Sequence, residues 1–422
     1  MRCYHYCKSF ALPIQIQGAS EVSIRVSGQG VAGALALVLL SMLAACGGGG
    51  GDSASSSNLP TETTLSAQAQ LGERIFSDVT LSASGRQSCA SCHVEVNGHA
   101  PDNALSAQLG GALLDQQGSR NTPSINYLSF NTSFHFESDG TPTGGFFWDG
   151  RAASLQAQAR EPFLQAKEMA NASVADLIGR VSRAAYADEF KQLFGDDIFS
   201  RPDDAFDRLT LALQAYQRED TGFRNFTSKY DEFLRGNVAL SDQEMRGLAL
   251  FNNPTKGNCQ ACHPSAKSAD GSFPLFTDFT YDNLGVPRNA ELTQNDDASY
   301  YDLGLCARTD LPNRPDLCGA FKVPSLRNVA IRHAFFHNGR FKSLKDVVTF
   351  YVQRDTNPEK WYPLNPDGSV KKFDDLPVQY HANVNTAEVP YNRQPGDTPA
   401  LTDAEVDDVI AFLQTLTDGF RR

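Results

Sequence analysis

Cys89-Ala90-Ser91-Cys92-His93 and Cys259-Gln260-Ala261-Cys262-His263 are two copies of one pattern, Cys-x-x-Cys-His, in a chain of 422 residues. At this spacing two thiols can add across the vinyl groups of a haem, and the next histidine reaches the iron. The cysteines sit about one helical turn apart, which puts the histidine under the ring. A zinc site built from Cys89, Cys92, Cys259 and Cys262 is the alternative. It leaves unexplained why a histidine follows each pair. The pattern therefore predicts two covalently bound haem c groups, with His93 and His263 as proximal ligands.

The N-terminal residues point to export. Arg2, Lys8 and Arg25 precede an apolar run from Val31 to Ala45, as in a secretory signal. Leu43-Ala44-Ala45-Cys46 has the form of a lipoprotein cleavage and acylation site. Residues 1–46 are thus expected to be a signal peptide, with Cys46 carrying a lipid that attaches the protein to the outer membrane. An ordinary cleaved signal or an uncleaved anchor is the alternative. Residues 47–65, rich in Gly and Ser, read as a flexible tether. Cys306 and Cys318 remain once the leader and the haem motifs are counted among the nine cysteines. In an oxidising periplasm they are expected to pair across a Pro-rich loop, with free structural thiols as the alternative. A formal charge of −12 argues against nucleic acid as a partner.

The fold class expected is mainly α: two c-type cytochrome-like haem domains with long ordered loops. Leu71–Phe76 and Met245–Phe251 both read as amphipathic helices just before a haem motif. The box Ser241-x-x-Glu244 starts the second and sets a boundary, giving an N-terminal haem domain over 66–240 and a C-terminal haem domain over 241–422. Further helices are expected over 173–194 and 203–216. A last helix follows Thr402-x-x-Glu405, with Val406, Val409, Ile410, Leu413 and Leu416 buried. No stretch alternates strongly enough to propose a major sheet.

Ligands opposite the proximal histidines were sought by elimination. Of four methionines, Met1 and Met42 lie in the leader, and neither Met169 nor Met245 is well placed. His99, His135, His333, His337 and His381 leave bis-histidine ligation open in principle. A tyrosinate, which favours ferric and higher states, or an open position remains.

Phe147-Trp148-Asp149-Gly150-Arg151-Ala152, continuing through Gln158, Pro162 and Glu168-Met169, resembles the bacterial dihaem cytochrome c peroxidase and MauG family. The resemblance covers the chain after the tether. It implies that Trp148 relays electrons or holes between the haems, and that Gln158, Pro162 and Glu168 shape the distal pocket of the first haem. A carboxylate there can take a proton from one peroxide oxygen and return it to the other. Outside that context Glu168 would read as a surface carboxylate and Trp148 as a core residue.

Two departures from ordinary peroxidases point to the MauG-like branch. The loop around Leu113, before Arg120-Asn121-Thr122-Pro123, lacks the histidine that closes the peroxidatic iron, so that site should be open without prior reduction. Val347-Val348-Thr349-Phe350-Tyr351 carries a tyrosine where peroxidases place a methionine ligand. The resemblance makes Tyr351 the sixth ligand of the second haem; a packed helix residue is the alternative. The run from Tyr351 to Trp361-Tyr362-Pro363 and the Cys306/Cys318 loop are similar to the MbnH-type subgroup. Calcium is also implied, through the Asn121 side chain and the carbonyls of Arg332 and Ala334. The implied function is a periplasmic oxidoreductase. It would use hydrogen peroxide to reach a high-valent two-haem state and oxidise an exported partner protein, at tryptophan in that subgroup. A peroxidase fed by a small cytochrome or copper protein, or a non-catalytic dihaem electron carrier, are the alternatives.

Overall fold

Ser66 accepts a hydrogen bond from the Ala69 amide and opens helix α1 (Ala67–Ser77), an N-cap in the usual sense. This is a computed structural model, and it describes residues 64–311 and 313–422. The expected signal, Cys46 and nearly all of the tether lie outside the described residues. The remaining helices are α2 (Cys89–Cys92), α3 (Leu155–Leu164), α4 (Val174–Val181), α5 (Ala187–Phe194), α6 (Pro202–Glu219), α7 (Lys229–Leu234), α8 (Asp242–Asn252), α9 (Leu344–Gln353) and α10 (Asp403–Gln414). Among the described residues, strand is confined to three antiparallel two-residue ribbons: β1 (Leu109–Gly110) with β2 (Gln116–Gln117), β3 (His135–Phe136) with β4 (Pro142–Thr143), and β5 (Tyr281–Asp282) with β6 (Phe321–Lys322). Long ordered loops join them.

Both capping boxes form as expected, Ser241 with Glu244 and Thr402 with Glu405. On α10 the buried residues are Val406, Val409, Phe412 and Leu413, so Phe412 takes the central place expected of Ile410, which is only half-buried. The single helix expected over 173–194 is two. The chain breaks after Ser182, which lets Tyr186 turn inward and donate its hydroxyl to Asp78 at 2.8 Å.

Two apolar clusters organise the chain. One draws residues from Leu71 to Phe223, the other from Tyr230 to Leu416. Each contains a close helix crossing made possible by a glycine. A Cβ on Gly72 would lie 2.0 Å from the Ala212 carbonyl oxygen, and one on Gly247 would lie 2.0 Å from that of Asp408. These glycines sit on α1 and α8, the helices that precede the two Cys-x-x-Cys-His motifs. The Cys306–Cys318 disulfide is formed. Among the described residues, no helix is long and apolar enough to cross a membrane.

Candidate functional site

The two histidines that follow the cysteine pairs are held in the same way. His93 Nδ1 donates to the His99 carbonyl at 3.0 Å, and His263 Nδ1 donates to the Phe276 carbonyl at 2.7 Å. Both carbonyls belong to residues with left-handed backbone, His99 at φ 51° and Phe276 at φ 54°. Each also accepts a backbone amide, from Ile125 or from Leu326. Donating from Nδ1 leaves Nε2 as the lone-pair nitrogen, the state a metal ligand needs. Burial holds both imidazoles down to about 4, which keeps them neutral.

The two halves also share a repeated unit. Phe146-Phe147-Trp148-Asp149-Gly150-Arg151 and Phe335-Phe336-His337-Asn338-Gly339-Arg340 form the same tight turn. Phe147 and Gly150 have φ 65° and 69°; Phe336 and Gly339 both have φ 63°. Bridges Phe146–Ala152 and Phe335–Phe341 close the two turns. Capping serines Ser154 and Ser343 then start α3 and α9. In this register Pro162 is the eighth residue of α3 and Tyr351 the eighth of α9. Tyr351 shares a cavity with Cys259, Cys262 and His263. Phe336 stacks on it at 5.8 Å, and Tyr391 lies 6.0 Å away. Burial raises its phenol pKa well above the ordinary value, so tyrosinate formation requires the charge of a metal. At the matching place in the first half, Pro162 offers no donor atom.

Gln158 stands one turn before Pro162 on α3, and Glu168 follows just beyond the helix. The Glu168 backbone is pinned by the β1–β2 ribbon, Gly111 donating to its carbonyl at 2.7 Å. Gly110 must be glycine here, since a Cβ would meet the Lys167 oxygen at 2.2 Å. Glu168 is exposed by area, yet its carboxyl is pushed up to about 7, first by loss of water, with Arg151 lowering it and Glu161 raising it. Both facts fit a carboxyl reached by solvent but crowded by protein. The Glu168 charge also acts on Cys89 and Cys92, which puts it near the first haem motif. At about 7 the carboxyl can exchange a proton in either direction near neutral pH.

Trp148 lines the second cavity and donates its indole N–H to the Asn121 carbonyl at 2.8 Å. The two turns meet each other's half: the Asn121 amide donates to the His337 carbonyl at 2.7 Å, and the Lys322 amide to the Trp148 carbonyl at 2.9 Å. Arg332 lines the same cavity and its charge reaches His93. Loss of water lowers the half-buried Arg332 to about 10, and among the described residues no carboxylate bridges it. Lys322 is buried and lowered to about 7 by loss of water, against the pull of the Asp149 charge, and among the described residues it forms no salt bridge. Buried cations want an anion, and haem propionates would supply it. The donor set, the cavity and these cations all fit haem c.

The same geometry lends the calcium expectation no support. Asn121 Nδ2 donates to the carbonyls of Ala334 and Phe336 at 3.1 and 3.0 Å, and Arg332 Nη2 lies 3.4 Å from the Ala334 oxygen. The expected carbonyl is already occupied by donors, one of them a buried guanidinium that would repel a divalent cation.

Other candidate ligands are engaged elsewhere. His99 stacks on Phe223 and pairs with Asn126, His337 stacks on Phe321 at 3.5 Å, and His381 contacts the Leu376 carbonyl. His135 pairs with Glu137, and His333 is exposed. Met169 is in the first core and Met245 is exposed. Leu113 is 74% exposed at the tip of the ribbon loop. Sequence reading named Arg332 for its carbonyl and missed its guanidinium, and it missed Lys322 and Gly110 as site residues. The repeat Phe-Phe-x-x-Gly-Arg was the available signal for the shared turn.

Two halves that each carry a Cys-x-x-Cys-His motif and the same turn into a capped helix, with proline in one and tyrosine in the other at its eighth position, fit a dihaem c-type oxidoreductase. The family model for di-haem cytochrome c peroxidase matches residues 66–239. Methylamine utilization protein MauG of Paracoccus denitrificans is 35% identical over 362 residues, covering 83% of this chain and 89% of that one. The crystal structure of the diheme peroxidase BthA from Burkholderia thailandensis superposes with a TM-score of 0.79 at 41% identity, covering 85% of this chain and 87% of that one. A MauG-like protein associated with microbial copper homeostasis superposes with a TM-score of 0.59 at 26% identity, covering 86% and 92%. The chain belongs to the di-haem cytochrome c peroxidase and MauG family, and is a haem peroxidase-type oxidoreductase.

Proposed function

We propose that this protein is an exported, MauG-type enzyme that uses hydrogen peroxide to oxidise a partner protein at a distance. The observation that carries the reading is the proline at position 162 where the second half has Tyr351. One site is open to peroxide; the other is closed by a hard anionic ligand. When bound, the two haems supply iron centres that pass two electrons to peroxide, which with two protons leaves as two waters, and later take two electrons from the partner.

The protein's own residues do the rest. Glu168 takes a proton from the near peroxide oxygen and returns it to the departing one. Gln158 orients peroxide by hydrogen bonds. His93 and His263 are held neutral and aimed by their carbonyl partners. Trp148 couples the two sites, its indole fixed by Asn121. Because the partner gives up electrons to the second site, it need not enter the recess around Glu168. Tryptophan on the partner is the side chain best suited to such remote loss of electrons. The protein acts in the periplasm, attached to a membrane through Cys46.

Trp148→Phe should keep both haems and the reaction of the first site with peroxide, while slowing oxidation of the second site. An unchanged second-site rate would remove Trp148 from the mechanism. A peroxidase that draws electrons from a small donor protein is the competing reading, and the likeness to the diheme peroxidase BthA favours it. Sustained turnover with a reduced small cytochrome c as sole donor would decide for it. Persistence of the oxidised sites for minutes in that mixture would decide for the MauG type.

A further inference from the structure

The disulfide-closed loop over residues 302–322 grips the turn that carries Trp148. Its two arms run side by side: Leu305 donates to Ala320, Gly319 donates to Leu303, and Cys306–Cys318 ties them covalently. From the first arm, Arg308 Nη1 donates to the Gly150 carbonyl at 2.9 Å, its side chain only 6% exposed. Asp302 takes a two-pronged bond from Arg120 at 2.6 and 2.7 Å, and the same guanidinium reaches Asp149 at 2.7 Å. From the second arm, the Lys322 amide holds the Trp148 carbonyl and Lys322 Nζ holds that of Gly145. Tyr281, paired to this arm through β5–β6, donates its hydroxyl to Gly144 at 2.6 Å.

The gripped turn needs such support. Gly144, Gly145, Phe147 and Gly150 all have positive φ, from 65° to 79°. Phe147 pays a steric cost there that a free loop would relax. A Cβ on Gly150 would sit 1.9 Å from the Tyr281 oxygen and would push that hydroxyl off Gly144. We propose that the Cys306–Cys318 loop is a clamp that positions Trp148 between the two sites, with Arg308 and Asp302 as its positioning residues. Opening the disulfide would then weaken coupling between the sites without touching either haem attachment. This inference rests on Trp148 being the relay.

The test uses the full dihaem protein with Cys306→Ser/Cys318→Ser together and, separately, Arg308→Ala. Haem content and the reaction of the first site with peroxide should be unchanged. Loss of the second-site EPR signal after peroxide should slow by about tenfold or more, the scale of effect expected from small misplacement. Backbone amide exchange should rise locally, in residues 144–152. Arg308→Lys should restore most of the rate, and Arg314→Ala, which breaks the Arg314–Asp316 pair in the same loop and the Arg314–Phe136 ring contact, should change nothing. An unchanged second-site rate in both variants, with Trp148→Phe slow, overturns the clamp and leaves the relay standing. An unchanged rate in Trp148→Phe overturns both. Exchange that rises across the whole protein would make the disulfide a general staple and overturns the clamp. If the double cysteine variant fails to fold, Arg308→Ala decides alone.

Discussion

The two halves follow one chain path and reach opposite ends. Each has a helix crossing relieved by a glycine, a Cys-x-x-Cys-His motif, a left-handed residue feeding its carbonyl to the proximal histidine, and a Phe-Phe-x-x-Gly-Arg turn leading into a capped helix. They part at the eighth position of that helix. Tyr351 brings an oxygen into the second cavity, while Pro162 brings a ring with no donor. They part again at the turn, where Trp148 stands opposite His337. A third difference is Glu168, placed by the β1–β2 ribbon that the second half lacks at the matching place. The scaffold sets where iron can sit, and two or three side chains decide what it does there.

The largest effect should come from Glu168→Gln. Removing the proton carrier should slow the reaction of the first site with peroxide by about 10²–10⁴-fold, measured by stopped-flow absorbance, with the second site's ligation unaltered. In the unaltered protein the same rate should rise with pH through about 7, as the raised carboxyl ionises to the base form, and Glu168→Gln should flatten that limb. The sign for stability is the reverse. A carboxyl raised by the fold favours the folded state most below its ordinary pKa, and that advantage is lost as pH rises through about 7.

Exchanging the two sites' character comes next. Pro162→Tyr should convert the high-spin EPR signal of the first site to low spin and close it to peroxide. Tyr351→Phe should open the second site and add a high-spin signal. If Pro162→Tyr leaves the first site high spin, the helical register drawn between α3 and α9 does not carry over to the iron.

Arg332→Leu should act more gently. Loss of a buried cation near both sites makes reduction less favourable, so at least one haem potential should fall in a spectroelectrochemical titration. Smaller still, Gly72→Ala and Gly247→Ala should each cost about 1–3 kcal/mol through overpacking at the helix crossings, read by denaturant unfolding. Equal losses would sharpen the likeness of the halves.

Much of this was legible in the sequence because covalent attachment and capping depend on local spacing. Both haem motifs, the boxes at Ser241 and Thr402, the Cys306–Cys318 pair and the mainly helical class needed no tertiary information. The break between α4 and α5 was not legible, since it depends on Tyr186 finding Asp78 across the first half. Phe412 displaced Ile410 for a similar reason: Phe412 packs against Tyr230 and Phe251. Calcium gained no support because Arg332 was read for its carbonyl, while its guanidinium lies beside the Ala334 oxygen. The cations of Arg332 and Lys322 became informative only once the absence of a salt bridge to either, among the described residues, was visible.

The central claim is that the first site is open and the second closed. EPR at low temperature on the diferric protein, before and after one equivalent of peroxide, tests it most directly. The account predicts one high-spin and one low-spin signal, both lost on peroxide addition without any prior reduction. Two low-spin signals that ignore peroxide until the protein is half-reduced would contradict it.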